Sequence, residues 1–315
     1  MNTFTSAATL FNRLVAHTRL RHLQVVVQVA DLGSVQHAAM QIGISQSAAT
    51  KHIADVERVL GMPLFERHAR GMRPTFICRD LLPLLRHVMG SVGGCAEAAA
   101  AAAAGIDGIV RIGAITAAIT GVLNGVLPAF IAEQPQVRVE LIEDAPLVLL
   151  GRYADGEMDM LLARKPALLP ADSRYVSLLE DSCIVAARPG HPLARSRRVQ
   201  AGQLLDFPWV TPPVDSQTYK AFEALFEACG RLPTQQPLST RSLAAAVHYL
   251  QGSDGVIMGP LSFLRGGIEA GSLVRLNCAL RVNLPAIGLV HRVEPRNRSV
   301  AALLSHLSSS LDAGA

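Results

Sequence analysis

Cysteine is scarce in this chain of 315 residues, and its placement excludes two kinds of site. The five cysteines are odd in number, lie far apart and form no CxxC pair. A disulfide framework needs paired cysteines, and a structural zinc site needs closely spaced ones. We therefore expect buried thiols, with a redox-sensing pair as the less favoured alternative. The residues concerned are Cys78, Cys95, Cys183, Cys229 and Cys278.

Charge and targeting signals are also sparse. Charged residues make up only 17% of the chain and hydrophobic residues 50%, so a chain of this length can bury two or three cores. Residues 1–16 show no basic cluster ahead of an apolar run, which predicts no signal peptide and a cytoplasmic protein. The uncharged stretch at residues 112–132 is long enough for a membrane span, but glycine, threonine, asparagine and proline interrupt it. These interruptions predict a strand, a polar turn and an amphipathic helix, and the chain is expected to have no membrane partner.

Motifs of the common enzyme classes are missing as well. The chain contains no GxSxG, HExxH, GxxxxGK[ST] or GxGxxG. Asp155, Glu157 and Asp159 are close in sequence, but their setting is typical of a solvated turn and strand edge. His248 and Tyr249 lie in a helical pattern and are expected to pack. We expect no catalytic residues, no cofactor and no metal; an enzyme or a small-molecule carrier with an N-terminal interaction domain is the alternative function.

What the sequence does contain is a pair of helical patterns between Ser34 and Phe65. Gly43 supplies the positive φ that ends the first helix at low cost, and Ser45 stands where the N-cap of the second belongs. The polar face of the second helix could bond base edges or phosphates in a major groove, with Gln46 as the best candidate base reader. The alternative is an ordinary helical hairpin with a solvated face. The polar residues are Gln46, Ser47, Thr50, Lys51 and His52.

Positive charge is concentrated in the same part of the chain. Residues 1–80 hold nine basic and five acidic residues, a net charge of +4, which equals the net charge of the whole chain. Such segregation favours phosphate binding. A short basic loop follows the helix pair and could contact the DNA backbone as a wing, although a solubilising loop is the alternative. It carries Arg67, His68, Arg70, Gly71 and Arg73.

Residues 20–75 resemble the N-terminal winged helix-turn-helix of LysR-type transcriptional regulators. The residues that match this pattern are Ala38, Ala39, Ser45, Gln46, Ile53, Glu57, Leu60, Gly61, Leu64, Phe65, Glu66, Arg67, Arg70, Gly71 and Thr75. The sequence departs from the pattern at Val35 (usually aromatic), Ser47 (usually proline) and Cys78 (usually glycine). Proline at position 47 would set the first turn of the recognition helix, so Ser47 is expected to alter how that helix begins.

The resemblance implies a function and a set of partners. These are double-stranded promoter DNA, a small-molecule effector and RNA polymerase, with the chain assembled as a homodimer or homotetramer. The residues expected to contact DNA are Ser34, Ser45, Gln46, Ser47, Thr50, Lys51, Arg67, Arg70 and Arg73.

A heptad-like seam follows the basic loop. Its apolar residues recur at steps of three and four and lead into an alanine run at residues 98–104, which predicts a dimerising linker helix. A packed helix of a monomer is the alternative. Pro83 and the Gly93–Gly94 pair predict a bend or break in it. The seam consists of Leu81, Leu85, Val88, Val92, Cys95 and Ala99.

After residue 105, strand-like and helix-like runs alternate, which predicts an α/β effector domain. The predicted strands lie at residues 108–114, 137–143, 158–163, 181–188, 208–211, 255–260, 273–276 and 285–292. The predicted helices lie near residues 121–133, 145–153, 216–228, 242–250 and 299–311. The family resemblance implies two α/β subdomains like those of periplasmic binding proteins, with the ligand between them. The predicted fold class is thus α plus α/β. Its predicted domains are a winged helix-turn-helix at 1–76, a linker helix at 77–105 and a regulatory domain at 106–315. We expect subdomain I at about 106–164 and 270–315, and subdomain II at about 165–269.

Polar residues at strand ends and helix starts are the candidates for effector binding, because helix N-termini present free N–H groups. Arg164 and Arg241 could pair with an anionic group, so a carboxylate-bearing effector is our hypothesis. Helix capping for the hydroxyl groups, and surface ion pairs for the arginines, are the alternatives. The candidates are Thr116, Arg164, Thr211, Ser216, Thr240, Arg241 and Ser242.

Overall fold

The computed structural model describes residues 6–68, 71–103, 106–214, 216–278 and 282–312, and its chain divides into two compact units. The first unit takes the chain up to residue 105 together with 151–157, and the second takes the remainder. The limits of the predicted domains stay a prediction.

Helices and a short hairpin make up the first unit. The helices α1 to α4 are short, and three of them end at a glycine in the left-handed conformation: Gly33, Gly43 and Gly61. Glycine adopts this conformation without the steric penalty of a Cβ atom. In order, the elements are α1 (Ala7–His17), α2 (Leu20–Leu32), α3 (Val35–Ile42), α4 (Gln46–Leu60), β1 (Phe65–His68), β2 (Gly71–Pro74) and α5 (Phe76–Ala103). The predicted helix pair and its turn are confirmed.

The core of the first unit lies where α2, α3 and α4 cross. Apolar side chains at spacings of three and four turn one face of each helix inward, as the sequence predicts. The buried residues include Val25, Val26 and Val29 of α2, Ala38 and Ala39 of α3, and Ala49, Ile53 and Val56 of α4. Small alanines at the crossing let the helices approach closely, which fixes the angle at which α4 is presented.

The long helix α5 runs unbroken from Phe76 to Ala103. The predicted break at Pro83 or at the Gly93–Gly94 pair is therefore wrong, whereas the alternative of a bend stays a prediction. A proline removes one backbone hydrogen bond and a glycine costs about 1 kcal/mol against alanine. Those local costs are smaller than the favourable contribution of the remaining residues of this 28-residue helix. The helix ends in an alanine run, and alanine has the highest helix propensity.

The second unit is an α/β structure around one twisted sheet. Its order is β4-β3-β5-β11-β6-β9-β7-β8, and β10 also pairs with β6. The elements that follow α5 are β3 (Gly108–Ala114), α6 (Thr116–Ala118), a π-helical turn (Ile119–Leu123), α7 (Asn124–Glu133), β4 (Val137–Glu143), α8 (Pro146–Ala154), β5 (Met160–Arg164), β6 (Ser173–Ala187), α9 (Ala201–Leu204), β7 (Trp209–Thr211), α10 (Gln217–Phe226), a 3₁₀ turn (Glu227–Cys229), β8 (Leu238–Ser239), α11 (Leu243–Gln251), β9 (Val256–Pro260), α12 (Leu261–Glu269), β10 (Val274–Arg275), β11 (Asn283–Arg292) and α13 (Arg298–Asp312). The last part of α8, from residue 151, is counted with the first unit.

Strand β6 divides this sheet into two lobes. Its residues 173–182 pair with β11, and its residues 183–187 pair with β9. We call the part of the sheet formed by β4, β3, β5 and β11 the first lobe, and the part formed by β9, β7, β8 and β10 the second lobe. Strand β6 belongs to both. The sequence predicts a strand only from Asp181 onward, and this is wrong because β6 begins at Ser173. Its first half alternates partly exposed and exposed side chains, so it lacks the apolar run that marks the second half.

Two helical segments also differ from expectation. The helix expected from residue 121 begins at Thr116 and passes through the π-helical turn, so the predicted polar turn is absent there. Helix α12 has no counterpart among the predicted elements, because Gly266 and Gly267 lower its helix propensity. It is stabilised by packing: Leu264 is fully buried, and Gly267 lies against Leu273.

The stretch Thr116–Glu133 is long and apolar enough to cross a membrane by length and composition alone. Its apolar side chains instead pack into the core of the first lobe beside β3, β5, β11 and α13. They include Ala117, Ala118, Val122, Leu123, Val126 and Phe130. The uncharged run is thus explained by burial within the α/β unit.

Candidate functional site

The first candidate site is the exposed N-terminal end of α4. The Oγ of Ser34 accepts the backbone N–H of His37 at 3.3 Å, and the Oγ of Ser45 accepts that of Ala48 at 3.2 Å. These two serines are therefore N-caps of α3 and α4. Capping fixes where each helix begins, and this sets which residues of α4 point outward.

Several predicted DNA-contacting residues lie together on this surface. Gln46, Ser47 and Lys51 are exposed. The hydroxyl of Thr50 donates to the carbonyl oxygen of Gln46 at 3.0 Å, and the Oγ atoms of Ser45 and Ser47 lie 3.0 Å apart. The hydroxyl groups thus take part in local helix contacts, whereas the amide of Gln46 and the ammonium group of Lys51 project into solvent.

The second element of this site is the hairpin β1–β2. In the antiparallel register Arg67 faces Met72, and Arg73 faces Glu66. Adjacent residues of a strand point to opposite faces, so Arg67 and Arg73 do not share a face of the hairpin. Both are exposed. Arg70, which the sequence groups with them, lies outside the described residues.

Two contacts hold the hairpin against the helices. The backbone N–H of Met72 donates to the carbonyl oxygen of Gly33 at 2.8 Å. The Oε1 of Glu57 accepts the N–H groups of Leu64 at 2.7 Å and Phe65 at 3.3 Å. Since Glu57 belongs to α4, this carboxylate links the candidate DNA-reading helix to the strand that follows it.

One group of potential metal ligands is found among the described residues, formed by His22, His52 and Asp55 with ligand atoms within 4.8 Å of one another. The backbone N–H of Arg19 donates to Nδ1 of His22 at 2.9 Å, so the neutral ring carries its proton on Nε2, which faces Asp55 at 3.8 Å. A metal would need the lone pair of that same nitrogen. Asp55 also accepts a hydrogen bond from Arg58, which lowers the pKa of Asp55. We therefore assign no metal to this group.

The imidazole of His22 sits in an environment that disfavours its charge. Burial lowers the pKa of His22, and the nearby His52 lowers it further. The two rings meet edge to face with centroids 4.5 Å apart. The Nδ1 of His52 is buried and has no hydrogen-bond partner within the described part of the chain. The ring of His22 therefore fits best as a neutral group that packs against His52 between α2 and α4.

The second candidate site is a cavity of about 620 Å³ in the α/β unit. It lies at the carboxyl ends of two sets of parallel strands. In the first lobe β4, β3 and β5 run parallel, and in the second lobe β8, β7 and β9 do so. Ligands bind at this edge of parallel α/β sheets because loops and helix N-termini converge there.

The structure brings six of the seven predicted effector-binding residues to the lining of this cavity: Thr116, Arg164, Thr211, Ser216, Thr240 and Arg241. The seventh, Ser242, lies in an adjoining recess of about 870 Å³, which shares Thr116, Glu143 and Arg241 with the cavity. The predicted contacts with an effector stay a prediction, but the residues are near one another in space.

Several of these side chains already have protein partners. The Oγ of Ser216 accepts the N–H of Tyr219 at 3.1 Å, and that of Ser242 accepts the N–H of Ala245 at 3.3 Å, so both are N-caps. The hydroxyl of Thr116 donates to Glu143. These contacts fit the capping alternative and leave the hydroxyl groups with further capacity for hydrogen bonds.

Arg164 takes part in a largely buried polar cluster of the unit. Its Nη2 lies 2.6 Å from Oδ2 of Asp181, whose side chain is only 1% exposed, and its Nη1 donates to the carbonyl oxygen of Pro285. Arg164 is itself partly exposed, at 18%, and lines the cavity. The ion-pair alternative is therefore observed for Arg164, but its partner Asp181 is buried and does not lie at the surface.

Sequence reasoning missed part of the lining. Glu143 ends β4 and Asp144 follows it, and both add a carboxylate to the cavity. Phe263, Met258 and Ile257 form part of its apolar wall. Glu143 could have been found, since it ends a predicted strand parallel to the one that precedes Thr116. The apolar residues carry no such signal, because apolar strand residues usually belong to the core.

Two of the cysteine thiols have low reactivity. Burial raises the pKa of Cys78 to about 11 and that of Cys183 to about 12. Since the thiolate is the reactive form, both groups are poor nucleophiles at neutral pH. Cys95 is exposed on α5. The expectation of buried thiols therefore holds for Cys78 and Cys183 and is wrong for Cys95.

Comparison with known proteins finds two family models that match this chain, and each of them covers one of the two candidate sites. The model of the "LysR substrate binding domain" matches residues 103–312, and that of the "Bacterial regulatory helix-turn-helix protein, lysR family" matches residues 20–79. The chain is 30% identical over 295 residues to a probable hydrogen peroxide-inducible genes activator of Mycobacterium avium, covering 91% of this chain and 94% of the relative. It is 29% identical over 245 residues to the transcriptional regulator GbpR of Azospirillum brasilense, covering 77% and 72%.

Solved structures show the same fold at lower identity. The crystal structure of CbnR, a LysR family transcriptional regulator, matches with a TM-score of 0.62 at 19% identity and covers 93% of this chain and 99% of that one. Full-length CbnR in complex with its target DNA matches with a TM-score of 0.61 at 20% identity, covering 93% and 100%. At this identity the likeness concerns the fold alone.

Proposed function

Because this chain belongs to the LysR family and is a DNA-binding transcriptional regulator with an effector-binding domain, we propose that its effector is a small carboxylate bound in the 620 Å³ cavity. The observation that carries this proposal is the presence of two arginines, Arg164 and Arg241, in the lining of one cavity with apolar walls. Guanidinium groups bind carboxylates through paired hydrogen bonds, and apolar walls favour a carbon skeleton over a hydrated ion.

The other charges of the cavity narrow the class of effector. Glu143 and Asp144 would repel a second anionic group, so we expect a single carboxylate. The same two side chains accept hydrogen bonds, which favours an effector that also carries hydroxyl or ammonium groups. Hydroxy acids and amino acids meet both conditions.

Calorimetric titration tests the effector class. Small monocarboxylates should bind more tightly than their uncharged amides and than neutral sugars. Binding of neutral sugars without binding of carboxylates would remove the proposal. The Thr116→Ala variant should keep its DNA affinity without effector and respond less to a ligand, and loss of DNA binding would instead make Thr116 a structural residue.

In the DNA-binding part, we propose that Gln46 reads a base edge and that Lys51, Arg67 and Arg73 contact phosphates. The exposed positions of these side chains support the proposal. Glutamine can make paired hydrogen bonds to adenine in the major groove, whereas lysine and arginine neutralise the backbone. Ser34, Ser45, Ser47 and Thr50 would position the helix or bond to phosphates.

A binding titration against the chain's own upstream DNA and a scrambled control, at several salt concentrations, tests this proposal. Tighter binding to the upstream DNA with a steep salt dependence supports it, because each neutralised phosphate releases counterions. Equal and weak binding to both, with or without carboxylate present, would contradict it for this stretch of DNA.

For the assembly, we propose that α5 pairs with the same helix of a second copy. Val88, Val92 and Cys95 of the predicted seam are exposed, as is Leu84 beside it, at 64%. Leu81 and Leu85 instead pack against the core of the first unit, so only the later part of the seam is available for pairing. Paired heads could then read two half-sites, and a tetramer would follow from a second contact.

Sedimentation at micromolar concentration tests the assembly, with Val88→Glu as the disrupting variant. We further propose a cytoplasmic location and contact with RNA polymerase, since regulators that bind promoter DNA act where the DNA and the polymerase are. Fractionation of cells and pull-down with polymerase would check these two points.

A further inference from the structure

The carboxylate of Asp181 lies where the two lobes of the sheet meet. Asp181 belongs to the last part of β6 that pairs with β11, directly before the part that pairs with β9. Its Oδ2 accepts hydrogen bonds from Nη2 of Arg164 and from the hydroxyl of Ser262, both at 2.6 Å. Its Oδ1 accepts the backbone N–H groups of Ser182 at 3.0 Å and Ser262 at 3.2 Å.

This set of contacts explains why a charged group is tolerated at 1% exposure. An ionised carboxylate in the interior is stable only when an opposite charge and several donors replace its water. Both oxygens of Asp181 are occupied by donors of fixed position, three of which come from the backbone or from a buried serine. The carboxylate is therefore a rigid anchor for Arg164.

Arg164 connects this anchor to the cavity. Its guanidinium bonds Asp181 and the carbonyl oxygen of Pro285 on one side, and its partly exposed surface lines the cavity on the other. A free arginine side chain has many rotamers, and ordering it on binding would cost affinity. A guanidinium held in advance meets a carboxylate without that cost.

The anchor also reaches the π-helical turn of the first lobe. The hydroxyl of Thr120 donates to the carbonyl oxygen of Ser262 at 2.6 Å. A Cβ atom on Gly121 would lie 2.8 Å from Leu179 and 3.0 Å from Cβ of Ser262, so the turn packs closely on the start of α12. Ser262 thus contacts both the anchor of Arg164 and the helix that begins at the cavity.

We propose that Asp181 is a positioning residue of the effector site, which holds Arg164 in the cavity wall for an effector carboxylate and links it through Ser262 to the junction of the two lobes. The part that concerns the carboxylate rests on the proposed function. The part that concerns the hold on Arg164 does not, so the two can be tested separately.

The Asp181→Asn variant separates this role from a merely structural one. The amide oxygen of asparagine has to remain at the Oδ1 position, because two backbone N–H groups point there. The amide nitrogen then takes the place of Oδ2. The hydroxyl of Ser262 can turn and accept from it, but Arg164 has only donors and loses its partner. The variant therefore releases Arg164 while it preserves the shape of the side chain.

The first arm of the experiment needs no ligand. Full-length protein is treated with phenylglyoxal, which modifies arginine, and the modification rate at Arg164 is followed by peptide mass spectrometry. We expect a several-fold faster reaction in Asp181→Asn than in wild type. The control Asp172→Asn, which breaks a different pair with Arg292, should keep the wild-type rate.

The second arm uses benzoate and its uncharged isostere benzamide as probes, titrated into each variant by calorimetry. Wild type should prefer benzoate, and Asp181→Asn should reduce that preference by about tenfold, the loss expected for one oriented charge-assisted hydrogen bond. A general loss of structure would instead weaken both probes equally. Asp172→Asn should keep the preference.

The outcomes are distinguishable. An unchanged phenylglyoxal rate at Arg164 in Asp181→Asn overturns the positioning role. If that variant fails to fold, the wild-type protein still tests the proposal. Modification of Arg164 at the same rate as the exposed Arg73 would overturn it. A wild type without preference for benzoate, together with released Arg164 in the variant, would remove the proposed effector class and keep the role of Asp181 in holding Arg164.

Discussion

The Oε1 of Glu57 accepts the backbone N–H of Leu64 at 2.7 Å, across the turn that joins α4 to β1. The same oxygen also accepts the N–H of Phe65. Leu64 is fully buried and Phe65 nearly so, so water cannot easily replace this acceptor. One side chain of the candidate DNA-reading helix α4 therefore fixes the start of the hairpin β1–β2.

Replacement of Glu57 by alanine should destabilise the first unit by about 1–3 kcal/mol, because two backbone donors lose their acceptor in a largely buried setting. Glu57→Gln keeps a carbonyl oxygen and should cost less. Urea unfolding of the three proteins, monitored by circular dichroism, measures the difference. An equal loss of unfolding free energy in both variants would mean that the negative charge of Glu57, rather than its hydrogen-bond acceptor, stabilises the first unit.

Gln46→Ala should reduce the discrimination between operator and scrambled DNA by about 1–3 kcal/mol, the usual contribution of a paired base contact. Arg73→Ala should weaken binding to both DNAs and lower the slope of log K against log salt by about 1, as expected for one phosphate contact. Fluorescence anisotropy titrations on both DNAs measure these effects. A uniform loss of affinity in Gln46→Ala would argue against base reading.

Gly71→Ala should lower the thermal stability of the protein. Its φ of 124° is unfavourable for a residue with a side chain, and a Cβ atom would lie 2.3 Å from the carbonyl oxygen of Gly33. Gly93→Ala is the matched control, because a Cβ there meets nothing within 4 Å in a helix. That change should stabilise α5 by up to about 1 kcal/mol. Differential scanning fluorimetry should show melting temperatures that move in opposite directions.

Stability should fall as the pH drops below about 6.5, the ordinary pKa of an unfolded histidine. Burial lowers the pKa of His191, while its hydrogen bond to the carbonyl of Asp254 opposes part of that shift. The pKa of His22 is also lowered by burial. The unfolded chain then binds protons that the folded chain resists, so unfolding becomes easier as pH falls from the unfolded to the folded pKa.

The His191→Gln variant should lose less stability than wild type between pH 8 and about 5.5, because one of these two groups is gone. His37→Gln, at an exposed position, is the control and should follow wild type. Urea unfolding at both pH values gives the comparison. Identical pH dependence in all three proteins would mean that His191 titrates alike in the folded and unfolded chains.

Local sequence signals were sufficient for the helix-turn-helix. Gly43, Ser45 and the apolar spacing of α4 act within a few residues, so they predict the turn and the buried face without any distant contact. The strands β3 and β4 were predicted at their observed limits for the same reason. Helix α12 and the first half of β6 were missed, because long-range packing stabilises them against weak local preference.

The candidate cavity was predictable only in part. Thr116, Thr211 and Thr240 stand at strand ends or helix starts, and parallel strands bring such positions to one edge of a sheet. Asp181 and Ser262 are 81 residues apart, and no local pattern relates them. Their pairing depends on the antiparallel register of β6 with β11 and β9, which the full fold determines.

The sequence by itself determined the DNA-reading helix pair, the family and the alternation of the α/β unit, since these depend on periodicity, caps and turns within short windows. Only the tertiary structure decided that Arg164 is bound to a buried carboxylate, that Arg67 and Arg73 lie on opposite faces of the hairpin, and that α5 continues through Pro83. The contact of Arg164 depends on the register of β5 and β6 with β11, which brings distant residues together. The faces of Arg67 and Arg73 depend on the register of the hairpin, and the continuity of α5 depends on helix propensity summed over 28 residues, so neither follows from a single local signal.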